Sequence, residues 1–313
     1  DAAMGADGGA SGSDGGSDGG AVSSAPVGYF RVLLVAPIAP TMNDPVGTPG
    51  YTSAVGKVSD GPTPELLVWN KAAEEGACQL LTPRVPFCST PCTGGAVCVE
   101  DDVCQAYPSA KDVGAVKLVG VRTKDGATEV SLELVAKSYQ IAGGATLPYP
   151  AFDEGATLRL TSGGGAYPVF SIEAKGIAPL VLDGAKIKLE SGKATTLTWT
   201  APGKADIGRV QVKLDVSHHG GTKGKIVCDA PDTGKLELPA ALLKKLLDLG
   251  VAGFPTILVT RVAVGSTTIP VGRVDLSVVA DVERDVEIPG LVSCTDSDQC
   301  PQGQTCQNDL TCR

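Results

Sequence analysis

Histidine is nearly missing from this chain of 313 residues: only His218 and His219 occur, side by side and followed by Gly220-Gly221. A His-based triad or a His-rich metal centre therefore has almost nothing to be built from, and the pair is expected at an exposed hairpin tip. Other catalytic signatures are missing too. There is no G-x-S-x-G elbow, no H-E-x-x-H helix, no P-loop and no dinucleotide fingerprint. Long apolar runs are lacking: the best stretch, residues 30–40, is shorter than the roughly 18–20 residues a membrane-crossing helix needs, contains Arg31 and is broken by Pro37. No transmembrane span is expected. Basic patches interleaved with aromatics do not occur, and the formal net charge is -9. A nucleic acid or an anionic lipid surface would be repelled by that average field. Aromatics make up only 4% of a chain that is 42% hydrophobic, so Val, Ile, Leu and Thr must fill the core, while 40 Gly and 22 Pro interrupt it with turns. That is a mainly β profile.

Cysteine is what the chain has in quantity, and it has it in a pattern. Cys88, Cys92, Cys98 and Cys104 form one set, and Cys294, Cys300, Cys306 and Cys312 a second at the C-terminus. From the second cysteine onward the two run in step: Cys92, Gly95, Cys98, Asp101, Cys104 against Cys300, Gly303, Cys306, Asp309, Cys312. Matched small cysteine modules point to an oxidising compartment outside the cytoplasm. Three internal pairings are open to each module, and first-to-third with second-to-fourth is favoured, because crossed bridges restrain so short a chain best. Cys78 and Cys228 remain; a bridge between them is the simplest arithmetic, with free thiols as the alternative. Structural zinc fits poorly, since knuckles of the C-x₂₋₄-C type are met only by Cys88–Cys92 and the histidines are distant.

Composition divides the chain. Residues 1–27 are rich in Gly, Ser, Ala and Asp and read as a flexible tether. The start at Asp1 without Met reads as that of a processed exported protein, with a lipid anchor N-terminal to Asp1 or plain secretion as the two routes. Residues 28–150 read as a β domain with a cysteine module at 88–104. Residues 151–291 read as a β-sandwich domain, and 292–313 as a C-terminal cysteine module. Within them, 209–216 alternates apolar and polar residues almost perfectly. The expected fold is therefore antiparallel β-sandwich domains (immunoglobulin, fibronectin or jelly-roll-like) with two disulfide-rich modules. One short amphipathic helix is expected at 239–249, opened by Pro239 and closed by Gly250.

Some motifs tempt. Asp232-Thr233-Gly234 matches the tripeptide of aspartic proteases, but no second copy exists and Lys235 follows it, so a β-turn is the expectation. The acidic pairs Asp101-Asp102 and Asp296–Asp298 fit no Ca²⁺-loop signature and read as solvated turn carboxylates. Of the two tryptophans, Trp199 alternates into the core with Leu197, which leaves Trp69 as the candidate ligand contact.

With Cys104-Gln105-Ala106-Tyr107-Pro108 and the run from Ser293 to Pro301, the modules resemble the short cysteine-rich motifs of myxobacterial cell-surface proteins. The whole chain resembles the uncharacterised lipoproteins of those bacteria. That resemblance implies export and an outer-membrane or extracellular location, and no chemistry. The expected function is non-enzymatic: a structural, adhesive or assembly role at the cell surface, with other surface proteins or further copies as partners and no cofactor. The alternative is a ligand-binding β-sandwich module, with glycans as the ligand class.

Overall fold

In a computed structural model of the protein, the described residues are 25–40, 42 and 45–313. The expected tether lies outside them up to residue 24, and its last two positions already belong to the first strand. The first half of the chain forms β1 (Pro26–Val35), β2 (Tyr51–Val58), β3 (Val68–Glu75), β4 (Cys78–Arg84), β5 (Ala96–Glu100), β6 (Val103–Ala106), β7 (Val116–Val119), β8 (Glu129–Val135) and β9 (Ser138–Ile141). The second half forms β10 (Thr157–Ser162), β11 (Ser171–Lys175), β12 (Lys186–Lys188), β13 (Thr195–Thr198), β14 (Arg209–Asp215), β15 (Lys225–Pro231) and β16 (Lys235–Leu238). The helix α1 (Ala240–Asp248) then precedes the long hairpin of β17 (Thr256–Ile269) and β18 (Gly272–Glu287). Among the described residues no helix is long and apolar enough to cross a membrane.

One large mixed sheet dominates. Its order is β11-β10-β7-β8-β9-β2-β1-β18-β17-β14-β15-β4-β3, with β12 added beside β18, and β13·β16 and β5·β6 form two small sheets of their own. The protein is thus mainly β with one short helix, as its composition implies. Two features differ from the antiparallel expectation. β18 has parallel neighbours, β1 in the register Leu34↔Ala280 and β12 in the register Ile187↔Val286. Parallel partners need a long crossover, and here nearly the whole chain separates β1 from β18. The sheet also runs through the expected junction near residue 150: β10 pairs β7, and β15 pairs β4. The segments 28–150 and 151–291 share one hydrogen-bonded ladder.

The sheet folds over itself, bringing β11 against β17 and β18. A Cβ on Gly265 would fall 1.7 Å from the Glu173 carbonyl oxygen, so only glycine allows the two backbones to close this far. The space between is filled by inward-facing residues: Phe30 and Val32 of β1, Val210, Val212 and Leu214 of β14, Ile257 and Val259 of β17, and Leu276 and Val278 of β18. α1 closes the region over β4 and β15, burying Leu242, Leu243 and Leu246. There Cys78 and Cys228, directly opposite each other on β4 and β15, form a buried bridge between residues 150 apart in sequence.

Candidate interaction surfaces

Side chains alternate between the two faces of a strand, so the pattern that buries Val210, Val212 and Leu214 aims their neighbours outward. On that outer face Gln79, Val227, Lys213 and Leu258 stand in one rung across β4, β15, β14 and β17. Asp229, Gln211 and Thr260 stand in the next. Together they line a shallow trough of about 400 Å³ with Val227 and Leu258 as its apolar floor. Trp69 lies at the margin, on the last strand of the sheet. Its ring carries the Lys225 ammonium 3.6 Å from the centroid, a cation–π contact. Burial, and then the repulsion of Lys213, holds the Lys225 ammonium below the usual lysine value. A sugar stacking on that face of Trp69 would have to displace the lysine. β3 itself is poorly suited to pairing with another chain: the ladder slips between Lys71 and Ala73, and Lys71 and Glu74 form an ion pair along it.

Trp199 and the Asp232-Thr233-Gly234 triplet meet inside the molecule. The turn is where it was expected, between β15 and β16, but its carboxylate is not solvated. Arg261 (1% exposed) directs Nε onto Asp232 Oδ2 at 2.5 Å, and the Asp232 side chain is itself 5% exposed. The Trp199 indole N–H donates to Asp232 Oδ1 at 2.7 Å. The rest of the guanidinium donates to the carbonyls of Pro179 and Thr200 at 2.8 and 2.7 Å. Every strong donor in the cluster is matched, which is how a buried ion pair is tolerated. With both oxygens engaged, Asp232 serves as a structural lock on the β15–β16 turn. Arg261 carried its own signal in the sequence, because it falls in phase with the inward Ile257 and Val259 and so demands a buried acid.

The ten cysteines form five bridges and no described cysteine is free. Cys88 joins Cys98 and Cys92 joins Cys104; Cys294 joins Cys306 and Cys300 joins Cys312. The crossed order is the same in both modules. Three sulfurs of each lie within 4.8 Å of one another, but a disulfide sulfur is not the thiolate a metal requires. The modules match in backbone as well. Cys98 faces Cys104 across β5·β6, and Cys306 faces Cys312 across a β-bridge that is likewise antiparallel. The residue after each aspartate, Asp102 and Leu310, adopts φ 59°.

The acidic turn residues are built into these loops. Asp101 accepts the Phe87 N–H and an Arg84 N–H, which together hold its carboxyl below the usual carboxylate range. Asp102 accepts from the hydroxyl and backbone N–H of Ser89 and is lowered in the same way. Asp296 caps the turn at 297–299 through the Asp298 N–H. His219 is exposed and His218 partly so, in the loop between β14 and β15; their rings lie 3.9 Å apart, and the Phe254 N–H donates to the His218 carbonyl.

The modules differ in what surrounds them. The C-terminal one is seated on the body: the Gly253 N–H donates to the Asp309 carbonyl at 2.7 Å, and Cys294 and Thr311 are buried. The first module leaves the matching positions open. Phe87, which precedes its first cysteine, is 72% exposed, and Val103, two residues past Asp101, is 46% exposed.

No protein-family model matches the chain, and no curated protein matches it either.

Proposed function

We propose that the protein is a non-enzymatic component of a bacterial cell surface that works by holding partners in place. The five disulfides indicate an extracytoplasmic protein. In this reading it sits at the outer-membrane surface or in the extracellular layer, like the myxobacterial lipoproteins it resembles. Its folded-over sheet serves as a sandwich-like scaffold. The observation that carries the proposal is the distribution of the bridges. One joins neighbouring strands from the two halves of the chain near one end of the sheet, and four rigidify small loops that have almost no core of their own. Covalent bracing of display loops is what a surface scaffold needs, because ordered loops lose little entropy when they bind.

Surface labelling of intact cells, together with the mass of the native assembly extracted from them, tests this. The expected result is protein accessible from outside and in an assembly heavier than the 31.7 kDa chain. A lone monomer confined inside the envelope would refute it. Ligand binding is the second reading, favoured by the trough across β4, β15, β14 and β17, which has an apolar floor and polar walls. A glycan array on which neither the wild type nor Trp69→Ala gives a signal would end it.

A further inference from the structure

We propose that the exposed face of the first cysteine module, formed by Val85, Phe87 and Val103, is a docking surface for a partner protein whose apolar contact is rimmed by Lys or Arg. The inference rests on the scaffold reading above and names the part of the scaffold that binds.

Its template lies in the same molecule. The two modules share bridge pattern, hairpin register and the left-handed residue after the aspartate, so from the second cysteine onward their positions correspond, Asp101 to Asp309 and Val103 to Thr311, while Phe87 and Ser293 each directly precede the first cysteine. In the C-terminal module this face is a protein contact, with Thr311 2% exposed and the Asp309 carbonyl taking the Gly253 N–H. In the first module the same face meets solvent, and the residues on it are larger and more apolar. The Asp102 N–H donates to the Phe87 carbonyl, which places the Phe87 backbone beside Asp102, the residue before Val103. Val85, two residues before Phe87, is also exposed. An exposed apolar cluster on a loop that two disulfides hold rigid marks an interaction site.

Charge selects the partner. Residues 85–107 contain Glu100, Asp101 and Asp102 and no Lys or Arg. Arg84 is engaged with Asp101, which leaves Glu100 and Asp102 as an acidic rim. A second copy of this chain, with net charge -9, would set like charges against that rim. A basic-rimmed protein is complementary to it.

The test uses the full-length chain in its producing cells, with Phe87 replaced by the photoreactive residue p-benzoylphenylalanine and intact cells irradiated. The expected product is an adduct with a different protein, cross-linked at a peptide that carries Lys or Arg. Its yield should fall by at least about fivefold in a Val103→Glu background and fall again at raised salt, as screening predicts. Val103→Glu should leave no alkylatable thiol and an unchanged thermal midpoint, which separates lost docking from lost folding. Three results would each overturn the proposal: no adduct, an adduct made only of two copies, or an adduct indifferent to Val103→Glu and to salt. If surface exposure and the heavy assembly persist while the adduct is absent, the docking face alone is wrong; if they are lost as well, the scaffold reading has failed.

Discussion

Asp229 and Asp232 lie three residues apart, and each receives an arginine Nε at 2.5 Å: Asp229 from Arg209 and Asp232 from Arg261. They differ in burial. Both side chains of the first pair are 53% exposed, whereas those of the second are 1% and 5% exposed. Asp229→Ala releases an arginine that water can solvate at once, so its cost should stay below about 1 kcal/mol. Asp232→Ala strands a guanidinium with no counter-charge in the core and leaves the Trp199 indole N–H without an acceptor. Breaking a buried pair from one side costs about 3–5 kcal/mol, and the orphaned indole places this case toward the upper end. Urea unfolding followed by far-ultraviolet circular dichroism reads the difference. With a slope of about 3 kcal/mol per M for a chain of this size, Asp232→Ala should lower the midpoint by more than about 1 M, and Asp229→Ala by no more than about 0.3 M. Equal shifts, or a shift below about 0.3 M for Asp232→Ala, would refute the claim that desolvation separates the two pairs.

Two further outcomes follow from the structure. The Cys78–Cys228 bridge closes a loop of 150 residues, so the double Cys→Ala variant should lose up to about 5 kcal/mol by the loop-entropy account, seen as a lower thermal midpoint with both modules still oxidised; an unchanged midpoint would count against the bridge as a brace. The phenol of Tyr139 is pushed up to about 12, chiefly by burial. Because the folded value lies above the unfolded value of about 10, this contribution is complete below about pH 10 and is lost as pH climbs toward 12. An absorbance titration of the six tyrosines should show a late phenolate step that Tyr139→Phe removes, and simultaneous titration of all six would contradict it.

Local patterns were legible in the sequence wherever local physics decides them. The alternation at 209–216 buries Val210, Val212, Leu214 and Val216. The leucines of 239–249 make α1, and the cysteine spacing yields two crossed modules. What eluded the sequence was whatever depends on distant partners or on unmarked turns. The chain reverses between β8 and β9 at Ala136-Lys137, both at positive φ. Neither residue type announces such a turn. β3 is charged along much of its length and shows no alternation, so the β3–β4 hairpin has no periodic signal. The parallel pairing of β1 with β18 leaves no trace in either segment, because neither the apolar run of β1 nor the alternation of β18 says which strand will lie beside it or in which direction. Asp232 reads only as a β-turn residue, since nothing within ten residues of it hints at Arg261.

The place of β1 beside β18 also governs how the chain can mature. The first described strand has its central neighbour among the last forty residues, so the middle of the sheet cannot form until almost the entire polypeptide has emerged. Folding step by step behind an export channel is closed to such a topology, and contacts this remote in sequence assemble slowly. During that wait the apolar strand beginning at Pro26 has only β2 to cover it. Cys78 and Cys228 both precede β17 and β18, so their bridge can brace β4 against β15 before the middle of the sheet is complete.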